Sequence, residues 1–69
     1  DALLPWVLDY IVNEKNISTS KLQRVFSIGY NRAANLIDEL EQKQFVSPAR
    51  GSKPRAVFLT QKELSKLRD

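Results

Sequence analysis

Cysteine and histidine are both missing from this sequence, and for a chain of 69 residues that is the tightest constraint on what it can become. Domains this small bury a marginal core, and many are stapled by disulfides or zinc. Here disulfides are excluded and the usual zinc ligands are gone. Apolar burial, helix caps and short connections must hold the chain together. A hydrophobic share of 42% suits a packed domain better than a disordered tail. The length predicts a single domain over residues 1–69 with one core.

The order of apolar residues predicts the elements. Leu3, Leu4, Val7, Leu8 and Ile11 mark one face of a first helix at about 3–14, with Pro5 tolerated in its first turn. The polar stretch Asn13–Asn16 ends it. Ser20-Lys21-Leu22-Gln23 reads as a capping box opening a second helix at about 20–26, which offers Leu22, Val25 and Phe26 to the core. Ser27-Ile28-Gly29 is a tight turn with Ile28 tucked inward, and Gly29 is an acceptable N-cap for a third helix at about 30–44.

That third helix is sharply two-sided. At about 100° per residue, Ala33, Leu36, Ile37 and Leu40 gather within about 100° of one another, while Asn31, Asn35, Asp38 and Gln42 gather within about 60° on the opposite side. After it, Phe45-Val46-Ser47 and Ala56-Val57-Phe58-Leu59 read as short strands flanking a turn-rich basic loop, residues 48–55, so residues 45–59 form a hairpin. Thr60-Gln61-Lys62-Glu63 is a second capping box, starting a short last helix with Leu64 and Leu67 inward. Trp6, Tyr10, Phe26 and Phe58 are expected in the core or at its edge. The predicted fold is α+β and mostly α: a winged helix-turn-helix with three helices, a two-stranded hairpin wing and a short C-terminal helix.

In that arrangement the second helix of the pair enters the major groove, and its N-terminal residues meet base edges. Asn31, Arg32, Asn35 and Asp38 are then best placed to touch DNA. Asn is a poor choice for an exposed helix interior, because its side chain competes for backbone groups. Arg32 could instead pair with Asp38 or Glu39 on the helix surface, an exposed contact worth little. The shorter preceding helix would cross the backbone, with Ser18, Thr19 and Lys21 near its start, where free N–H groups favour phosphate.

The net charge of +3 says little, but its distribution says more. Arg50, Lys53 and Arg55 fall within the wing loop with no nearby acid in the sequence, whereas Asp38, Glu39 and Glu41 cluster late in the third helix. The basic cluster predicts phosphate contacts that set register without reading sequence. Gly51-Ser52-Lys53 is not a nucleotide phosphate loop, since the first glycine and the following helix are missing. No nucleophile–base pair can be named, so no catalytic site, cofactor, metal or small-molecule substrate is expected.

Ser20-Lys21-Leu22-Gln23-Arg24, Ile28-Gly29-Tyr30-Asn31-Arg32-Ala33-Ala34 and Gly51-Ser52-Lys53-Pro54-Arg55 together resemble the C-terminal γ domain of the FtsK/SpoIIIE DNA translocases. The resemblance spans roughly residues 17–60, and its blocks recur in the right order and spacing. It implies a bacterial parent protein in which a membrane-anchored ATPase pumps chromosomal DNA at cell division. The γ domain there recognises short, polarised, G-rich duplex motifs that orient loading of the hexameric motor in chromosome partition. It also touches a tyrosine recombinase. The implied partners are double-stranded DNA, that recombinase and the motor domain of the same parent chain.

The family's base-reading positions fall on Asn31, Asn35 and Asp38. The family frequently has Arg where this chain has Asn35, and Asp or Glu in place of Asp38. Arg pairs bidentately with guanine and Asn with adenine, so the departure implies a purine motif richer in adenine. Asp38 would accept from cytosine N4; the plain alternative is a solvated charge held off the phosphates.

No unbroken apolar run approaches the roughly 20 residues needed to cross a bilayer, and no signal peptide is visible. The domain is therefore expected in the cytoplasm, without membrane contact of its own, and the missing cysteines fit a reducing compartment. Charged ends and the missing initiator Met suggest a piece of something larger. Two other functions fit the same fold: a protein-interaction module, and a transcription regulator, although the long extra helix of dimeric regulators is absent.

Overall fold

The computed structural model of the chain describes residues 1–49, 51 and 53–68, the last without its side chain. Its elements run α1 (Leu4–Ile11), β1 (Asn16–Ile17), α2 (Thr19–Phe26), α3 (Tyr30–Gln42), β2 (Arg55–Ala56) and α4 (Gln61–Arg68). The core is built from every part of the chain: Val7 and Ile11 of α1, Ile17 of β1, Leu22 of α2, Ala33, Leu36, Ile37 and Leu40 of α3, then Val46 and Leu59.

α1 ends at Ile11, earlier than the expected residue 14, and continues as a turn in which Glu14 N–H donates to the Ile11 carbonyl at 2.8 Å. Tyr10 packs edge-on against Phe26, with ring centroids 5.9 Å apart, and donates its hydroxyl to Glu14 at 3.2 Å. Burial first, and that carboxylate second, hold the Tyr10 phenol above its ordinary pKa, so it stays a donor.

β1 is absent from the sequence reading. Two residues are too few to show a period of two, and the only hint was Ile17, a lone apolar residue outside any helical spacing. Yet β1 closes the sheet. It pairs antiparallel with β2 in the register Asn16↔Ala56 and Ile17↔Arg55, extended by the Val57 N–H donating to the Lys15 carbonyl at 3.0 Å.

On its other edge the same segment meets residues 45–47. Val46 bridges Val57, Ser47 N–H reaches the Ala56 carbonyl at 2.9 Å, and Phe58 N–H reaches the Phe45 carbonyl at 2.8 Å. The wing hairpin is therefore present but short, and its returning strand lies between two neighbours.

β1 also moves the start of α2. The predicted cap was Ser20, but Ser18 leaves the sheet extended (φ −134°, ψ 160°), and its Oγ accepts from Lys21 N–H at 3.1 Å. With hydroxyls at three successive positions, the direction of the incoming chain decides which one caps. α2 ends at Ser27 in the left-handed region (φ 53°), and Ile28 packs against the core as expected.

α3 opens at Gly29, as the sequence predicted, and stops at Gln42 instead of 44. Its end is a Schellman turn. Gln44 adopts φ 63°, its N–H donates to the Glu41 carbonyl at 2.9 Å, and Phe45 N–H donates to the Leu40 carbonyl at 2.9 Å. In α4 the expected Thr60 cap is in place, its Oγ1 accepting from Glu63 N–H at 3.2 Å.

Four apolar expectations are corrected. Trp6 is 65% exposed, Phe58 54%, Leu67 56% and Val25, offered to the core by the α2 spacing, 43%. Trp6 lies well round α1 from the Val7–Ile11 side. Phe58 falls on the outer face of its strand because Val57 and Leu59 take the inner one. α4 sinks only Leu64, and Leu67 lines an open apolar groove with Leu4, Leu8 and Phe45.

Candidate nucleic-acid interface

α3 presents its site because its back is fixed. Ala33, Leu36, Ile37 and Leu40 are each at most 1% exposed, which fixes the rotation of the helix about its axis. The opposite side then faces solvent by geometry alone. Asn31, Asn35, Asp38 and Gln42 are all exposed along it. An open depression on this face is lined by Asn35, Asp38, Glu39, Gln42 and Lys43.

The stripe changes character along its length. Its first half carries amides, which can both donate and accept. Its second half carries Asp38 and, beside it, Glu39 and Glu41, which repel phosphate. The N-terminal half of α3 is therefore the part that suits close approach to a polyanion.

Arg32 takes neither partner considered from the sequence. Its Nε and Nη2 donate to the Asp1 carboxylate at 3.0 and 2.9 Å. No local periodicity could reveal that pairing, because the two residues are far apart in the chain. The Arg32 side chain is 48% exposed and that of Asp1 21%, so water screens the pair only in part.

The wing cations divide. Arg55 Nη1 donates to Glu41 Oε1 of α3 at 2.6 Å, with the arginine side chain only 17% exposed. This corrects the reading that the wing arginines and lysine have no acid nearby: Glu41 is distant in sequence and adjacent in space. Arg55 is in position to fasten the wing to α3, its charge already matched. Lys53 is exposed and has no ion pair among the described residues. Arg50 lies outside the described residues. Gly51 holds φ +62°, a conformation that glycine adopts without strain, and it shapes the wing near its tip.

Lys21, in the first turn of α2, is exposed, with its own N–H taken by the Ser18 cap. Around the start of α2, a cleft lined by Ser18, Thr19, Ser20, Tyr30, Gly51 and Lys53 joins α2, α3 and the wing. The geometry thus brings Lys53 to the start of α3 and turns Arg32 to the other flank, toward Asp1. Tyr30, 63% exposed in this cleft, is a lining residue that the sequence reading does not name as a contact. Its signal was there: it is an aromatic at the first turn of α3 and off the apolar arc.

A helix pair with the second helix outward, backed by a three-segment sheet and a basic hairpin, defines a winged helix-turn-helix domain. The family model described as "Ftsk gamma domain" matches residues 1–60. The chain belongs to that family. It is 48% identical over 64 residues to the DNA translocase SftA of Bacillus subtilis, covering 93% of this chain and 7% of the relative. To the DNA translocase FtsK of Staphylococcus aureus it is 49% identical over 59 residues, covering 86% of this chain and 8% of the relative. To FtsK of Listeria monocytogenes it is 53% identical over 57 residues, covering 83% and 8%. The chain thus spans only 7–8% of the length of these relatives.

Proposed function

We propose that residues 1–69 form one duplex-DNA-recognition domain of a translocase, reading bases with the outward face of α3 and contacting phosphates with the wing and α2. The observation that carries this reading is the exposure of Asn31, Asn35 and Asp38 on one side of a helix whose other side is wholly buried. Asn31 and Asn35 supply the paired donor and acceptor that match adenine in the major groove, and Asp38 supplies an acceptor for cytosine N4. Lys53, with Lys21 and Arg50, neutralises phosphates. Arg32 joins them by exchanging Asp1 for the backbone. Arg55 contributes by holding the wing.

In the parent protein, this domain would orient loading of the motor on short polarised purine-rich motifs and contact a site-specific recombinase. It would act from the cytoplasmic side of a membrane-anchored translocase and carry no catalysis itself. The γ-domain membership and the translocase names of its relatives support that wider role. A single module has modest affinity; several on adjacent sites, as on a hexamer, gain by effective concentration.

Selection of binding sites from random duplexes tests the reading. The expected outcome is a short asymmetric purine-rich consensus with adenine opposite Asn35. A consensus of guanine alone at that contact removes the Asn35 assignment, and no enrichment at all removes base reading. The second reading, a protein-interaction module, draws on the apolar groove of Leu4, Leu8, Phe45 and Leu67. Fluorescence anisotropy with random and G/A-rich duplexes at two salt concentrations separates the two, since an interaction module would bind neither.

A further inference from the structure

We propose that Tyr30 is a backbone contact of this domain, donating its phenolic hydroxyl to a DNA phosphate held between the start of α3 and the wing. The proposal rests on the reading of α3 as the groove-entering helix and adds a contact that the resemblance and the wing charge do not supply.

The helix geometry places it. Asn31 stands near the middle of the polar stripe, and Tyr30 and Arg32 lie about 100° to either side of it. A helix seated in the major groove faces base edges in front and the two strands at its flanks, so flank residues meet phosphate before they meet bases. Arg32 takes the flank toward Asp1. Tyr30 takes the other.

The wing marks which flank that is. Glu41 lies about 20° from Tyr30 around the axis and about 16 Å further along it. Glu41 grips Arg55 at 2.6 Å, so the wing is anchored on Tyr30's side of α3. From Arg55 the chain leads back toward Lys53 and Gly51, which line one cleft with Tyr30, Ser18, Thr19 and Ser20. Tyr30, Lys53, Ser18, Thr19 and Ser20 thus line one concave surface, with no carboxylate among the described residues that line it.

Tyr30 also has no inward role. It is 63% exposed, outside the core cluster, and without a side-chain hydrogen bond among the described residues. A Phe or Leu would serve equally at that position if only bulk mattered.

A neutral donor leaves a distinctive signature. It strengthens binding to every sequence but releases no counterion, so it moves affinity without moving the salt slope. Lys53 does both. The test is anisotropy with a fluorescein-labelled random-sequence duplex pool and a purine-rich duplex across a salt series, comparing the parent chain, Tyr30→Phe and Lys53→Ala. Tyr30→Phe is expected to weaken both duplexes about three- to tenfold with the slope kept. Lys53→Ala should lower the slope by about one. In a scan of single methylphosphonate linkages, one neutralised linkage should erase the difference between parent and Tyr30→Phe.

Unchanged affinity of Tyr30→Phe, a loss confined to one base pair, or a difference that survives every methylphosphonate overturns the Tyr30 contact while leaving base reading by α3 intact. A parent chain that binds neither duplex overturns both. Thermal melting of Tyr30→Phe should match the parent, which keeps a binding loss from being a folding loss.

Discussion

α3 and the wing both face outward, but they are held by different forces. α3 is fixed by Ala33, Leu36, Ile37 and Leu40, all buried, and by the Schellman turn at Gln44. The wing is rooted by Val46 and Leu59 at its base, but beyond them it rests on the bridge at Val46 and Val57, the two-residue β1–β2 pairing, a few hydrogen bonds and the Arg55–Glu41 pair. Apolar packing is close and unforgiving, so α3 keeps its rotation to within the tolerance that paired base contacts need. Hydrogen bonds and an ion pair at the surface give more. Phosphate contacts tolerate that, because a point charge needs only proximity. The element that reads is rigid and the element that grips is compliant.

The difference is sharpest in the core. Leu36→Ala or Leu40→Ala should cost about 2–5 kcal/mol in denaturant unfolding, enough to remove most of a small domain's stability. Val57→Ala, at a half-buried wing position, should cost less than about 1.5 kcal/mol. Equal costs would erase the contrast between the two regions.

Next in size is the separation of roles on DNA. Asn35→Ala should lose about five- to a hundredfold in discrimination at one base pair while stability stays within about 0.5 kcal/mol. Competition binding with single-base variants of the selected site, beside a melting curve, measures both.

A smaller effect tests the fastening of the wing. Arg55→Gln should cost about 0.5–1 kcal/mol, less at high salt. Amide hydrogen exchange should quicken at Val57 and remain slow at Leu40. Quickening at both would mean that α3 depends on the wing.

The smallest change is a gain. Gln44→Gly relieves a left-handed conformation in a residue with a Cβ and should stabilise the chain by a few tenths to about 1 kcal/mol in the same unfolding assay.

The same contrast governs what could be read from the sequence. Over α3 the apolar residues recur with enough turns to fix the face, so the sequence alone places Asn31, Asn35 and Asp38 outward. Gly29 and Thr60 were legible as caps because each stands alone at its boundary. The sheet was legible only in part. Residues 45–47 and 56–59 showed strand composition, but β1 is too short for periodicity, and its pairing joins residues far apart in the chain. The cap at Ser18 was missed as a consequence of β1. Arg32–Asp1 and Arg55–Glu41 were invisible for the same reason, since partner choice across the fold leaves no local trace. Trp6 and Phe58 depart because the periodicity reading groups the aromatics with the apolar faces, whereas helix angle turns Trp6 outward and strand alternation turns Phe58 outward.

The outward amides of α3 meeting base edges is the claim on which the rest depends. Titrating the ¹⁵N-labelled chain with its selected duplex observes it directly, through the side-chain NH₂ resonances of Asn31 and Asn35. Both should shift strongly, with Lys53 and Tyr30 affected and Trp6 and Leu67 unmoved. Unshifted Asn31 and Asn35 amides, with changes gathered around Leu4, Leu8, Phe45 and Leu67, would contradict it.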